Sequence, residues 1–168
     1  MFRSDADLQR ADWPLLQNGA VNLFHRREHL RDAQTALQAL GYEIASISCR
    51  DGADAFQHQV SSLLHWKEQF GYEPWTGNLD ALNDGLRGYP FGPTGRSVLI
   101  VDGFHEITSA DPQRGYAILD MIEASARDHL LWGNTLIALI QTDDPEFQCA
   151  GIGGRATNWN EKERFKVL

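Results

Sequence analysis

Asp80, Asn83, Asp84 and Arg87 fall at i, i+3, i+4 and i+7, a spacing that brings four polar side chains to one face of a helix. Leu79, Leu82 and Leu86 repeat at i, i+3 and i+7 on another face. Residues 78–87 therefore predict a short amphipathic helix, opened by Asn78. Two carboxylates one turn apart repel, at a cost on the order of 0.2–0.5 kcal/mol. The helix dipole offsets part of this at Asp80, and Arg87 relieves Asp84. Two uses fit such a face. One is plain solvation, the commonest role of charge on a helix surface. The other is a rigid acidic edge, set beside a loop carrying Tyr72 and Trp75, that pairs with a basic partner.

Other residues offer different chemistry. Asp102 ends the apolar run Val98–Val101, with His105 three residues on. Carboxylates at strand ends of open α/β sheets often belong to active sites, so this pair is the seed of a small α/β hydrolase or transferase. No Gly-x-Ser-x-Gly elbow or placed nucleophile accompanies it. The plainer expectation is that Asp102 caps its exit loop and His105 lies on the surface. Cys49 also sits at a strand end, where a buried structural thiol is commoner than a nucleophile. His25 and His29 are four apart, but the glutamate between them is misplaced for a zincin and no third ligand is evident. Gly92–Ser97 lacks the lysine and glycine spacing of a phosphate loop, and Gly151–Gly154 is too short for a dinucleotide fingerprint. The expectation is no metal and no cofactor.

These residues need elements to hold them. Strands are predicted at about 20–25, 42–48, 98–101 and 136–140, the last two as continuous apolar runs buried on both faces. Leu30, Ala33, Leu37 and Leu40 mark a helix closed by Gly41. Asp51 is read as the N-cap of a helix burying Phe56, Val60, Leu63 and Leu64. Asp111-Pro112 opens a longer helix that ends at Gly133. Trp13-Pro14 reads as a break, Lys67–Gly77 and Gly88–Gly95 as loops, and Trp66 and Trp132 as core or rim packing. Beyond Asp143 a polar, glycine-rich tail carries Trp159 and Phe165 back onto the body. The alternation predicts an α/β fold: a small, mostly parallel sheet of three or four strands with helices packed against it.

Composition narrows the function. The chain has 168 residues, 23 acids against 15 bases and a net charge of −8, which argues against direct nucleic-acid binding. Residues 51–130 alone hold twelve acids and five bases, so nearly all the excess is central. Two cysteines are too few for a disulfide framework or a four-thiolate zinc site. No apolar run approaches a bilayer span, and Met1–Arg10 is too polar for a secretory signal. The expectation is a cytoplasmic domain with no membrane contact, monomeric when free.

The run Trp75-Thr-Gly-Asn-Leu-Asp-Ala-Leu-Asn-Asp-Gly-Leu86 resembles the signature of the barstar family, the intracellular ribonuclease inhibitors. There an aromatic loop with a glycine leads into Asn-Leu-Asp-Ala-Leu, then Trp-Asp and a closing apolar residue. The resemblance spans roughly Tyr42–Thr142 in the same order of elements. It divides the chain into an N-terminal extension (1–41) with an extra strand and helix, a barstar-like domain (42–142) and a C-terminal tail (143–168). It implies an immunity protein, not an enzyme, that blocks the active site of a cognate basic ribonuclease toxin with its acidic helix and loop. Asp84 matches the family's dominant aspartate and Asp80 its other interface aspartate. Gly77 and Asn78 match the contact loop; Trp75, Asn83 and Arg87 complete the expected partner-binding set. Two departures, Asn83 for the family's tryptophan and Pro74-Trp75 for its tyrosine pair, imply a redesigned platform and a different cognate nuclease. The alternatives are the Asp102–His105 enzyme and a regulatory binding subunit on the same fold.

Overall fold

Val98–Val101 and Leu136–Ile140 lie in two adjacent interior strands of a parallel sheet, and every one of these residues is buried. The computed structural model describes residue 6 and residues 9–149, 151–154 and 158–163. In chain order the elements are α1 (Asp12–Leu16), β1 (Val21–Phe24), α2 (Arg27–Ala39), β2 (Glu43–Ser48), α3 (Ala53–Leu63), α4 (Trp66–Phe70) and α5 (Leu79–Arg87). Then follow β3 (Arg96–Asp102), α6 (His105–Ala110), α7 (Pro112–Leu131), β4 (Thr135–Gln141), β5 (Asn158–Trp159) and a 3-10 turn, Glu161–Glu163. The strand order is β2-β3-β4-β1-β5, with every neighbouring pair parallel.

Side chains alternate across β3 and β4, as the two-residue period of a strand requires. Val98, Ile100, Ile137 and Leu139 point to the layer formed by α1 and α2, where they meet Leu15, Leu30 and Leu37. Leu99, Val101, Leu136, Ala138 and Ile140 point to the other layer, built from α3, α5 and α7. Continuous apolar runs are thus explained by helices on both faces. The strand and helix expected before residue 42 are β1 and α2. β1 lies between β4 and β5, and α2 covers the second face of β3 and β4. Burying each of these large side chains contributes about 1.5–3 kcal/mol, so the segment before residue 42 supports the sheet it covers.

The α/β class and the four strands agree with the sequence reading, and several local expectations do not. A fifth strand, β5, lies in the segment read as a tail and pairs with β1 through Asn22 and Leu23. Phe147, Cys149 and Ile152 of that segment are core residues; Trp159 packs against the same core, in agreement with the sequence reading. Phe165 lies outside the described residues. Trp13-Pro14 is no break: it falls in the first turn of α1, where proline's missing N–H costs nothing. The predicted loop from Lys67 begins as helix α4. The N-cap of α3 is Gly52, not Asp51, and no side chain caps it. Trp132 is 83% exposed instead of packed, whereas Trp66 is fully buried. Asp111 does cap α7, accepting from the Arg114 N–H at 3.0 Å.

Candidate partner-binding site

The acidic helix forms as its pattern demands. Asn78 is the N-cap of α5, its Oδ1 accepting from the Ala81 N–H at 3.0 Å. Leu82 and Leu86 are buried and Leu79 is half-buried, while Asp80, Asp84 and Arg87 are exposed and Asn83 is half-buried. The structure therefore brings Asp80, Asp84 and Arg87 to one outward face. Arg87 reaches Asp84 at 3.7 Å, with both side chains more than 60% exposed. A pair so open to water is weak and readily exchanged.

Several residues that the sequence did not single out hold this helix. Gly85 lies against the indole of Trp66: a Cβ there would sit 2.7 Å from Cζ3. At the C-terminal end, the Leu86 carbonyl takes the Tyr89 N–H at 3.2 Å in a turn bond and is also reached from α7. It accepts from the Ser125 hydroxyl at 2.9 Å and lies 2.9 Å from His129 Nε2, both on α7. The Gln69 amide donates to the Gly88 carbonyl at 3.1 Å. A glycine inside an amphipathic helix was a readable sign of close packing. The reach of Ser125 and His129 across the fold left no sign in the sequence.

The loop before α5 corrects one expectation. Trp75 was expected to offer apolar surface to a partner, yet it is 1% exposed and belongs to the core. Its N–H donates to Ser61 Oγ at 2.6 Å and its Nε1–H to the Asn78 carbonyl at 2.7 Å. Its ring lies 6.2 Å from Phe56 and 6.3 Å from Trp66. Trp75 supports the start of α5 from beneath; the exposed aromatic of this loop is Tyr72. Gly77 adopts φ +90°, where side chains are disfavoured, and its carbonyl accepts from Arg114 Nη2 at 2.7 Å.

The rival residues are engaged in other ways. Asp102 Oδ1 meets Arg27 at 2.9 Å and Oδ2 meets Arg50 at 2.9 Å. Arg50 also donates to Gln141 Oε1 at 3.0 Å and to Asp143 Oδ2 at 2.9 Å. His105 Nδ1 accepts from the Asp143 N–H at 3.1 Å, so Asp102 and His105 form no acid–base pair with each other. The Gln141 amide, followed by the Arg50 guanidinium, holds the Asp143 carboxyl below its ordinary range. Burial, aided by the Asp102 charge, pushes the Cys49 thiol up to about 12, which keeps it protonated and a poor nucleophile at neutral pH. His25 Nδ1 lies 3.2 Å from the Thr142 carbonyl and His29 Nδ1 3.3 Å from Glu163, so the two histidines face different groups. Among the described residues no three His, Cys, Asp or Glu side chains converge on a metal site, and no helix is long and apolar enough to cross a membrane.

β2, β3 and β4 form a three-strand parallel unit, and α5 turns its acidic face outward from the helices that pack on it. The family model described as Barstar (barnase inhibitor) matches residues 42–142, from the residue before β2 to the residue after β4. The chain belongs to the barstar family, and ribonuclease inhibition, not catalysis, is the activity attached to that family. No curated protein and no solved structure matches it. α1, β1, α2 and β5 lie outside the matched segment.

Proposed function

We propose that this chain is an immunity protein that blocks a basic ribonuclease toxin by setting the outward face of α5 into the nuclease's substrate cleft. The observation that carries the reading is the exposure of Asp80 and Asp84 on one face of a helix held at both ends, within the family-matched segment. In the complex, carboxylates stand where substrate phosphates would lie, and the cleft's arginines and lysines pair with them. Asp84 takes the central pair and exchanges its loose contact with Arg87 for a nuclease cation. Asp80, Asn78 and Gly77 flank it, and Asn83 and Arg87 border the contact. The excess of acids over residues 51–130 raises the encounter rate and disfavours wrong orientations.

The reading is tested by RNA cleavage with the basic ribonucleases that the source organism secretes. Adding this chain is expected to suppress cleavage stoichiometrically, less so as salt rises. Unchanged cleavage at saturating protein contradicts it.

A further inference from the structure

Arg114 occupies a position that electrostatics alone does not favour. It lies in the first turn of α7, where the helix dipole disfavours a cation. Among the described residues it makes no ion pair with any carboxylate, although the central stretch is strongly acidic. Its guanidinium is turned instead to the loop that starts α5. Nη2 donates to the Gly77 carbonyl at 2.7 Å, and Cζ lies 5.9 Å from the centre of the Trp75 ring. The contact is close enough that a Cβ on Gly77 would stand 3.0 Å from Nη2 and 3.2 Å from the Gln57 amide.

The partners of this contact explain what it does. Gly77 precedes Asn78, whose carbonyl accepts from Trp75 Nε1 and from the Leu82 N–H, and whose side chain caps Ala81. Trp75 is pinned in turn through Ser61 on α3. One guanidinium therefore joins α7 to a loop that α3 holds from the other side, and the loop sets where the first turn of α5 begins. A planar fork with several donors can hydrogen-bond a carbonyl while lying against an indole, which a lysine ammonium cannot do equally well.

We infer that Arg114 is a positioning residue for partner recognition, clamping Gly77 and Trp75 so that Asn78 and Asp80 are presented in their binding geometry before the partner arrives. The inference rests on the reading of α5 as the nuclease-binding helix. It also predicts a sign. A cation near an acidic face repels a basic nuclease, so direct electrostatics has Arg114→Ala binding more tightly. Clamping has it binding more weakly, because only the fraction of molecules with a formed loop is competent to bind.

The experiment compares wild type, Arg114→Ala and Arg114→Lys in the full chain by amide hydrogen exchange, and by association and dissociation rates with barnase. For Arg114→Ala the Ala81 and Leu82 amides are expected to exchange about tenfold faster, the scale of losing one charged hydrogen bond at a half-buried site. Amides of β3 and β4 keep their wild-type rates. Association with barnase slows while dissociation is unchanged, and Arg114→Lys recovers part of both losses. Unchanged exchange at Ala81 and Leu82, equally faster exchange throughout the sheet, or tighter barnase binding by Arg114→Ala would each overturn the clamp. Failure of wild type to bind barnase would agree with the different cognate nuclease expected from Asn83 and Pro74-Trp75, and the exchange rates would still decide what Arg114 does.

Discussion

The outward face of α5 and the C-terminal edge of the sheet carry the same kinds of side chain and use them in opposite ways. At the sheet edge, Arg27 and Arg50 take the two oxygens of Asp102, and Arg50 extends to Asp143 and Gln141. Each charge there has an answer within the chain, and the network ties together the ends of β2, β3 and β4. On α5, Asp80 has no ion pair among the described residues, and Asp84 has only the loose contact with Arg87. The backbone beneath these two carboxylates is nonetheless fixed, by Trp75 at one end and by Ser125 and His129 at the other. A saturated charge network holds a fold together. Unsaturated charges on a fixed support are available to an outside partner. The position of Asp102 at a strand end suggests chemistry in sequence, and its two guanidinium partners assign it to the first group.

Four substitutions or conditions would break or sharpen this contrast. Trp75→Ala has the largest effect on folding. Removing a fully buried indole should lower unfolding free energy by about 3–5 kcal/mol in chemical denaturation; an unchanged midpoint would return Trp75 to the contact surface. Gly85→Ala comes next. It gains helix propensity, but its Cβ meets a rigid ring, so a net loss of about 1–3 kcal/mol is expected from overpacking. A gain in stability would show that α5 is not seated on Trp66. Arg50→Ala removes the hub of the sheet-edge network. Asp102 and Asp143 are partly solvated, and the buried Gln141 Oε1 keeps the Gly103 N–H, which limits the loss to about 1–2 kcal/mol, with partner binding unaltered. Weakened binding at full stability would give the sheet edge a recognition role.

The smallest effect is a pH dependence at Asp143. Its carboxyl is held below the ordinary value of 3.8 in the folded chain. The associated stability is present above the unfolded value and lost as pH falls through the folded one. The wild type should therefore lose stability more steeply below about pH 4 than Asp143→Asn does. Parallel acid-unfolding curves for the two proteins would remove Asp143 from the saturated network.

Much of this was legible in the chain, for definable reasons. β3 and β4 announce themselves as apolar runs because helices cover both of their faces. α5 was legible because Leu79, Leu82 and Leu86 separate cleanly from Asp80 and Asp84. The burial of Trp75 was not, since a tryptophan in an aperiodic loop carries no sign of which side it faces. Nor was the role of the segment after Asp143. Its buried residues Phe147, Cys149 and Ile152 are spaced too irregularly for any period, and β5 has only two residues. Arg114 looks in sequence like any surface arginine on a helix. Its contact with Gly77, 37 residues away, exists only in the fold.

The central claim is that Asp84, left almost unpaired on a fixed helix, is the main charge offered to a nuclease. The most direct measurement is capture of ribonuclease activity from the source organism's toxin-producing lysate on wild-type and Asp84→Ala baits, at low and high salt. Truncating one partner of a buried charge pair typically costs about 2–5 kcal/mol of binding. A basic ribonuclease held by wild type, released by salt and lost with Asp84→Ala is the predicted result. The same ribonuclease retained equally by both baits would contradict the account and place the binding surface elsewhere on the molecule.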